Sequence, residues 1–567
     1  MKTFSNQNNS YKIKTFEEFL QKVDYSLMDS LRADPESFSD GNDHLPREVK
    51  SGHYVPVKPT PILFPKYISH SKFFFSELGL SDELINDDKF LSLFSGDISH
   101  VHEPMRSFGW ATNYALSIYG TEYNQQCPFG TGNGYGDGRA ISIFEGIFKG
   151  KRWEMQLKGG GPTPFCRGAD GRAVLRSSIR EFLAQEYMNA LGIPTTRSLI
   201  LIASQSETVS RPWYTKDTRF FNPDTIVDSP VAITTRVASS FLRIGQLELF
   251  ARRVRNNISI DSQEELSMFV KYLIKRNYQS DINPKFKLDD QIVQLAELFC
   301  QKLISLVVNW IRVGYCQGNF NSDNCSLAGI TLDYGPFGFC ELFEPKFQPW
   351  TGGGEHFSFL NQPKAAEANF QMFLLSLRTL LKENNEAIEK LNFIQVNFPK
   401  LMSSKLNHMW TNKLGLKEYD ETLINELFSL MNVSRLDYTK FFRGLSSIPR
   451  EISTIDDVFY SPCSEHLKNN WNAWLKKWHY KIKNQNTLDN ISIKMKLINP
   501  KYTWREWIIA EAYEKAEEGN YSLLLEIQNV LSKPYEEQSN EIQKKYDRLK
   551  PHKFFNYGGI SHYSCSS

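Results

Sequence analysis

Apolar residues recur at two periods along this chain, and the change of period divides it. Residues 139–148 (RAISIFEGIF) and 153–157 (WEMQL) are short β-branched or aromatic runs bounded by glycine, which predicts two strands. Further strands are expected at 197–202 and 230–237. Between these pairs, Leu175, Ile179, Phe182, Leu183, Tyr187 and Leu191 fall at helical spacing. They predict a helix over 172–191, with Asp170 as its cap and Gly192 with Pro194 as its stop. Farther on, the helical period dominates. A long amphipathic helix is expected over 290–313, halted by Gly314, then a loop at 315–326 and a short strand at 328–332. Helices are expected at 362–395, 464–482, 504–517 and 520–532. No solenoid repeat is found. Sheet-forming sequence thus precedes helix-forming sequence, which predicts an α+β fold of two lobes with a cleft between them.

Composition changes this picture little. At ~150 residues per domain, 567 residues allow three or four domains or one multi-lobed unit. With 41% hydrophobic and 23% charged residues, a wholly disordered chain is excluded. The 66 Lys+Arg against 64 Asp+Glu argue against a dedicated nucleic-acid binder. Eight cysteines without a CxxC pair read as thiols of a reducing compartment. The apolar stretch 298–313 is interrupted by Gln301, Lys302, Asn309 and Arg312, short of the ~20 residues of a membrane span. The first residues carry no apolar signal core, and the first arginine is Arg32. The expectation is a cytoplasmic monomer engaging neither membrane nor nucleic acid, with mitochondria open for a eukaryotic source.

The candidate chemistry is concentrated. The tract from Gly130 to Arg139 carries five glycines in nine residues just before a strand. Glycine lets backbone N–H groups turn toward phosphate, and Arg139 adds a donor fork. A tight hairpin reads equally well, and no Walker Gly-Lys-Ser/Thr follows. Lys158 ends the next strand, and Glu181 lies 23 residues later in the expected helix. Gly-rich loop, strand-borne Lys and helix-borne Glu follow the order of a protein-kinase N-lobe, where the pair orients a phosphate-gripping ammonium. Asp170-Gly171-Arg172 echoes Asp137-Gly138-Arg139 at a helix start. Arg236 and Arg243 would face the same cleft if Arg236 closes a strand. Asn321-Ser322-Asp323-Asn324 and Asp333-Tyr334-Gly335-Pro336 supply oxygen ligands for Mg²⁺ or Mn²⁺ and a proton acceptor, although both also suit simple turns. The histidines form no metal cluster, and no Gly-x-Ser-x-Gly elbow occurs. From these residues alone, transfer of the γ-phosphoryl, transfer of the nucleotidyl group, or a non-catalytic nucleotide scaffold all remain open.

The runs GYGDGRAIS, LKGGGPTPFCRGADGRAVLRSSIREFLAQEYMNALGIPTTRSL and GNFNSDNCSLAGITLDYGPFGF, with NPKYTWREW farther on, resemble the selenoprotein O family from about residue 50 to the C-terminus. The resemblance implies a bilobal, protein-kinase-like fold: a lead-in over 1–60, a nucleotide-binding N-lobe over 61–245, a helical C-lobe over 246–545 and a tail over 546–567. It implies a protein adenylyltransferase that binds ATP in a flipped orientation, with Mg²⁺ or Mn²⁺, and transfers AMP to Ser, Thr or Tyr hydroxyls of proteins. By motif position, Gly136, Asp137, Gly138, Arg139, Lys158, Glu181, Asp170, Gly171, Arg236, Arg243 and Asp333 match nucleotide-site residues. Asn324 and Asp333 match metal ligands, and Asp323 the proton acceptor. Cys565 stands where some animal relatives carry selenocysteine, with Cys340 as a candidate redox partner.

Overall fold

The computed structural model describes residues 12–112, 138–166, 169–381, 383–483 and 487–563. Its sheet is antiparallel throughout and comprises β1 (Tyr54–Val57), β2 (Pro65–His70), β3 (Gly109–Thr112), β4 (Ala140–Phe148), β5 (Lys151–Lys158), β6 (Ala173–Val174), β7 (Arg197–Trp213) and β8 (Thr225–Ala238). The order is β1-β3-β4-β5-β8-β7-β2, with β6 added to β8. Helices α1 (Phe16–Leu20) and α2 (Leu27–Ser30) precede it, and α3 (Lys72–Leu78) and α4 (Asp88–Phe94) follow β2. Helix α5 (Leu175–Ala190) packs on β7 and β8. Then come α6 (Ile244–Arg255), α7 (Ser262–Asn277), α8 (Leu288–Val313), α9 (Gln362–Arg378) and α10 (Asn385–Lys413), and helices continue to Asn540–Tyr546.

The chain before the first strand is built into the sheet. The Phe19 ring lies 4.6 Å from Phe144 and 5.3 Å from Phe90. Buried Glu145 of β4 accepts the amides of Ser26 (2.8 Å) and Leu27 (3.0 Å), which satisfies donors at the start of α2. One apolar core runs from Ile13 to Tyr546, so sheet and helical half share it. Burying that much apolar surface at once holds the elements around the site in fixed positions.

The structure departs from the expected elements at four places. Helix α5 starts at Leu175 rather than 172, and its N-cap, Val174, makes no side-chain cap. Ala173 and Val174 first pair with β8, and the Asp170 Oδ1 is instead engaged by the Arg172 amide (2.9 Å) and Arg211 (2.6 Å). Residues 328–332 form no strand; Gly329, at φ +72°, turns the chain, and Thr331 makes only isolated bridges to Thr195 and Cys325. The helix expected over 362–395 is two, because Thr379 ends α9 and Asn384 caps α10 by accepting the Ala387 amide (3.0 Å). Strands β7 and β8 also run farther than the apolar pattern, into a half-exposed hairpin. Among the described residues, α8 is the one helix long and apolar enough to cross a membrane, at mean hydropathy 1.4, and 61% of that stretch is buried in the fold, where α8 packs on α9 and α10.

Candidate functional site

Side chains two apart on a strand share a face. Gln156 and Lys158 therefore leave β5 on one side, and the β5–β8 register sets Gln156 opposite Arg236. Helix α5 brings Glu181 to the same place. Lys158 Nζ lies 2.7 Å from Glu181 Oε2 and 3.1 Å from Asp333 Oδ1. Arg236 Nη1 donates to Asp333 Oδ1 at 2.8 Å and to Glu181 Oε1 at 3.3 Å. Its Nε and Nη2 both donate to Gln156 Oε1, at 3.1 and 2.5 Å, and Gln185 Nε2 donates to Glu181 Oε1 at 3.2 Å. Arg236 is wholly buried and Asp333 is 9% exposed. Two cations and two carboxylates out of water persist only as a balanced, hydrogen-bonded set. Asp333 is the member closest to solvent.

A second group adjoins the first. Arg243 precedes α6, where its amide donates to Gln246 Oε1 (2.9 Å), and its Nη1 donates to the Asp323 carbonyl (2.9 Å). Asn321 Oδ1 accepts the Asp323 amide (3.0 Å), folding residues 322–324 into a 3₁₀ turn with Asp323 buried. Gln317, at the start of this loop, donates its Nε2 to the Asp333 carbonyl (3.0 Å) and so ties the two groups together. The Asn324 Nδ2 donates to the Asn319 carbonyl (2.8 Å), which leaves Oδ1 as the atom that could take a cation. An amide oxygen and a carboxylate are hard donors that fit Mg²⁺ or Mn²⁺ shared with phosphate oxygens. Among the described residues no three His, Cys, Asp or Glu gather as a metal cage, and a phosphate-bound Mg²⁺ needs no such cage.

The third group borders the start of β4. The Gly138 carbonyl accepts Thr163 Oγ1 (2.5 Å), and the Gly159 amide, next to Lys158, donates to the Arg139 carbonyl (3.0 Å). A Cβ at Gly138 would stand 2.1 Å from the Phe165 oxygen, so the close approach requires glycine. Arg139 is half-buried. Burial pushes the Asp170 carboxyl up, but the Arg211 guanidinium, the Arg172 amide and the charge of Arg139 outweigh it and hold it below its usual range. Gly171 sits at φ +69°, and a Cβ there would lie 2.0 Å from the Gly161 oxygen. Gly171→Ala is therefore expected to cost at least about 1–3 kcal/mol of stability. A urea unfolding midpoint equal to the wild type's would contradict this.

Lys158, Glu181, Arg236 and Asp333 thus form one cluster, Arg243, Asp323 and Asn324 a linked one, and Gly138, Arg139, Asp170 and Gly171 a border. Gly136 and Asp137 lie outside the described residues, as does Cys565. Cys340 is buried, and burial pushes its thiol well above the usual range. The candidate list drawn from the sequence lacks Gln156, Gln185 and Gln317. Gln156 had a signal, since it stands two residues before Lys158 on a strand, and so had Gln185, four residues after Glu181 on α5; Gln317 is placed by tertiary packing.

The family model described as protein adenylyltransferase SelO matches residues 45–532. The chain is 33% identical to a protein nucleotidyltransferase YdiU of Aromatoleum aromaticum over 540 residues, covering 92% of this chain and 95% of the relative. The protein of the same name from Flavobacterium johnsoniae is 34% identical over 561 residues, 96% of this chain and 99% of that one. The one from Xanthomonas oryzae pv. oryzae is 34% identical over 537 residues, 92% and 95%.

Proposed function

This chain belongs to the SelO family and is a nucleotidyltransferase, and from that premise we propose that it transfers AMP from ATP to Ser, Thr or Tyr hydroxyls of proteins. In this reading the sheet and α5 are the smaller lobe of a bilobal, protein-kinase-like fold, and the helices after β8 are the larger. The observation that carries it is the buried set Lys158–Glu181–Arg236–Asp333, in which a strand-end lysine behind a glycine-rich tract meets a helix-borne glutamate and a loop aspartate. That is the arrangement that grips nucleotide phosphates.

The substrate hydroxyl attacks the α-phosphorus of ATP. The bond from that phosphorus to the bridging oxygen breaks, pyrophosphate leaves, and the hydroxyl proton passes to Asp323. Lys158 and Arg236 bind phosphate oxygens and offset the charge that builds on them. Glu181 orients Lys158. Arg243 fixes the turn that carries Asp323 through the Asp323 carbonyl. Asn324 and Asp333 would hold Mg²⁺ or Mn²⁺, which when bound would supply further charge neutralisation on the phosphates. There is little covalent work for the protein, so catalysis is positioning and electrostatics.

Incubation with ATP, Mg²⁺ and a cell lysate, followed by peptide mass spectrometry, tests the reading. Adenylyl groups on Ser, Thr or Tyr are expected. Phosphoryl groups in their place would contradict it, and so would unmodified proteins beside a chain that binds ATP.

A further inference from the structure

Arg180 stands one residue before Glu181 on α5 and has different partners. Its Nε donates to Glu506 Oε1 at 2.8 Å and its Nη2 lies 3.3 Å from Glu506 Oε2. Nη2 also donates to the Phe337 carbonyl (3.2 Å), and Nη1 lies 3.5 Å from the Gly335 carbonyl. These carbonyls come two and four residues after Asp333. The guanidinium is held between two rings, 4.7 Å from Phe337 and 4.2 Å from Tyr563. One side chain on the helix of Glu181 thus grasps the segment of Asp333.

The Tyr563 face of this contact comes from the far end of the chain. Tyr563 is 4% exposed, its amide donates to the Pro349 carbonyl (3.0 Å), and its carbonyl accepts the Thr351 amide (3.1 Å). The residues before it are fastened to the β7–β8 hairpin: the Gly558 amide donates to the Thr218 carbonyl (3.1 Å), and the His562 ring stacks on Phe221 at 4.9 Å. The end of the chain therefore bridges the sheet hairpin and the segment that follows Asp333, and Tyr563 closes over Arg180 between them.

We propose that Arg180 is a positioning residue that clamps α5 to residues 333–337, and that Tyr563 completes the clamp with its ring. The fork shape of guanidinium is needed to reach a carboxylate and two carbonyls together; a lysine ammonium is a point charge and loses that geometry. Loss of the clamp lets Glu181 and Asp333 shift relative to each other, and small misplacements cost large factors in rate. The clamp's role in transfer rests on the nucleotide site proposed above, whereas its mechanical part does not.

The test uses the full chain with Tyr563→Ala, Tyr563→Phe and Arg180→Lys. Hydrogen exchange is followed in the nucleotide-free protein over residues 175–190 and 335–339. Tyr563→Ala and Arg180→Lys are expected to speed exchange in both segments together, and Tyr563→Phe to match the wild type because the ring is kept. In transfer assays the first two are expected to lower kcat by about ten- to a hundredfold, with the KM for ATP moving far less. Faster exchange confined to residues near 563, or Tyr563→Phe as damaging as Tyr563→Ala, would overturn the proposal. If the wild type transfers no nucleotide, the reading of the site falls while the exchange result still decides the clamp.

Discussion

Asp333→Ala is expected to lower nucleotidyl transfer by about a hundred- to a thousandfold while the chain stays folded. The rate factor follows from losing about 3–4 kcal/mol of charge stabilisation around the reacting phosphates. Removing the Asp333 carboxylate leaves two buried cations on one carboxylate and lowers stability, but the fold is retained because of the position of Asp333. It is the most exposed of the four clustered groups, and without it Lys158 keeps Glu181 at 2.7 Å and Arg236 keeps Gln156 and Glu181. Its backbone carbonyl, which accepts Gln317, is untouched by the substitution. Steady-state transfer and a thermal melt on the same sample check both halves. Activity within threefold of the wild type would refute the proposed metal-holding role of Asp333.

Lys158→Met is expected to abolish transfer and to destabilise the fold by about 3–5 kcal/mol. Glu181 is 1% exposed, and removing Lys158 leaves two carboxylates sharing Arg236. The excess buried negative charge is what costs stability. Adding Glu181→Gln restores the balance of charge, so the double variant is expected to recover most of the lost stability and none of the transfer. A double-mutant cycle in urea reads the coupling. Additive losses would show that Lys158 and Glu181 do not act as a pair, and restored transfer in the double variant would show that Lys158 is no phosphate ligand.

Much of this site could be read before folding, for physical reasons that differ from group to group. Lys158 at a strand end and Glu181 on a helix are local facts, set by alternation in β5 and by the apolar stripe of α5. Asn321, Asp323 and Asn324 are likewise legible, because an Asx turn is built within four residues. The partner set was not. The face of Gln156 was legible beside Lys158, but its pairing with Arg236 comes from cross-strand register; Gln317 enters through a loop whose course depends on α8 ending at Gly314, and Arg180 through contacts with residues 155 to 383 positions away. The cap of α5 misled for a related reason: Asp170 had the right identity for a cap, but pairing of Ala173 and Val174 with β8 moved the helix start beyond its reach. Local rules fail where a long-range strand or salt bridge claims the same residue.

In the proposed function, the buried cluster presents the α-phosphorus of ATP to a protein hydroxyl. Parallel incubations of the purified chain and a cell lysate with ATP labelled at the α- or the γ-phosphate test it most directly. The label is expected to reach protein from α-labelled ATP alone, and to be absent with Asp333→Ala. Label arriving from γ-labelled ATP and not from α-labelled ATP would contradict the account.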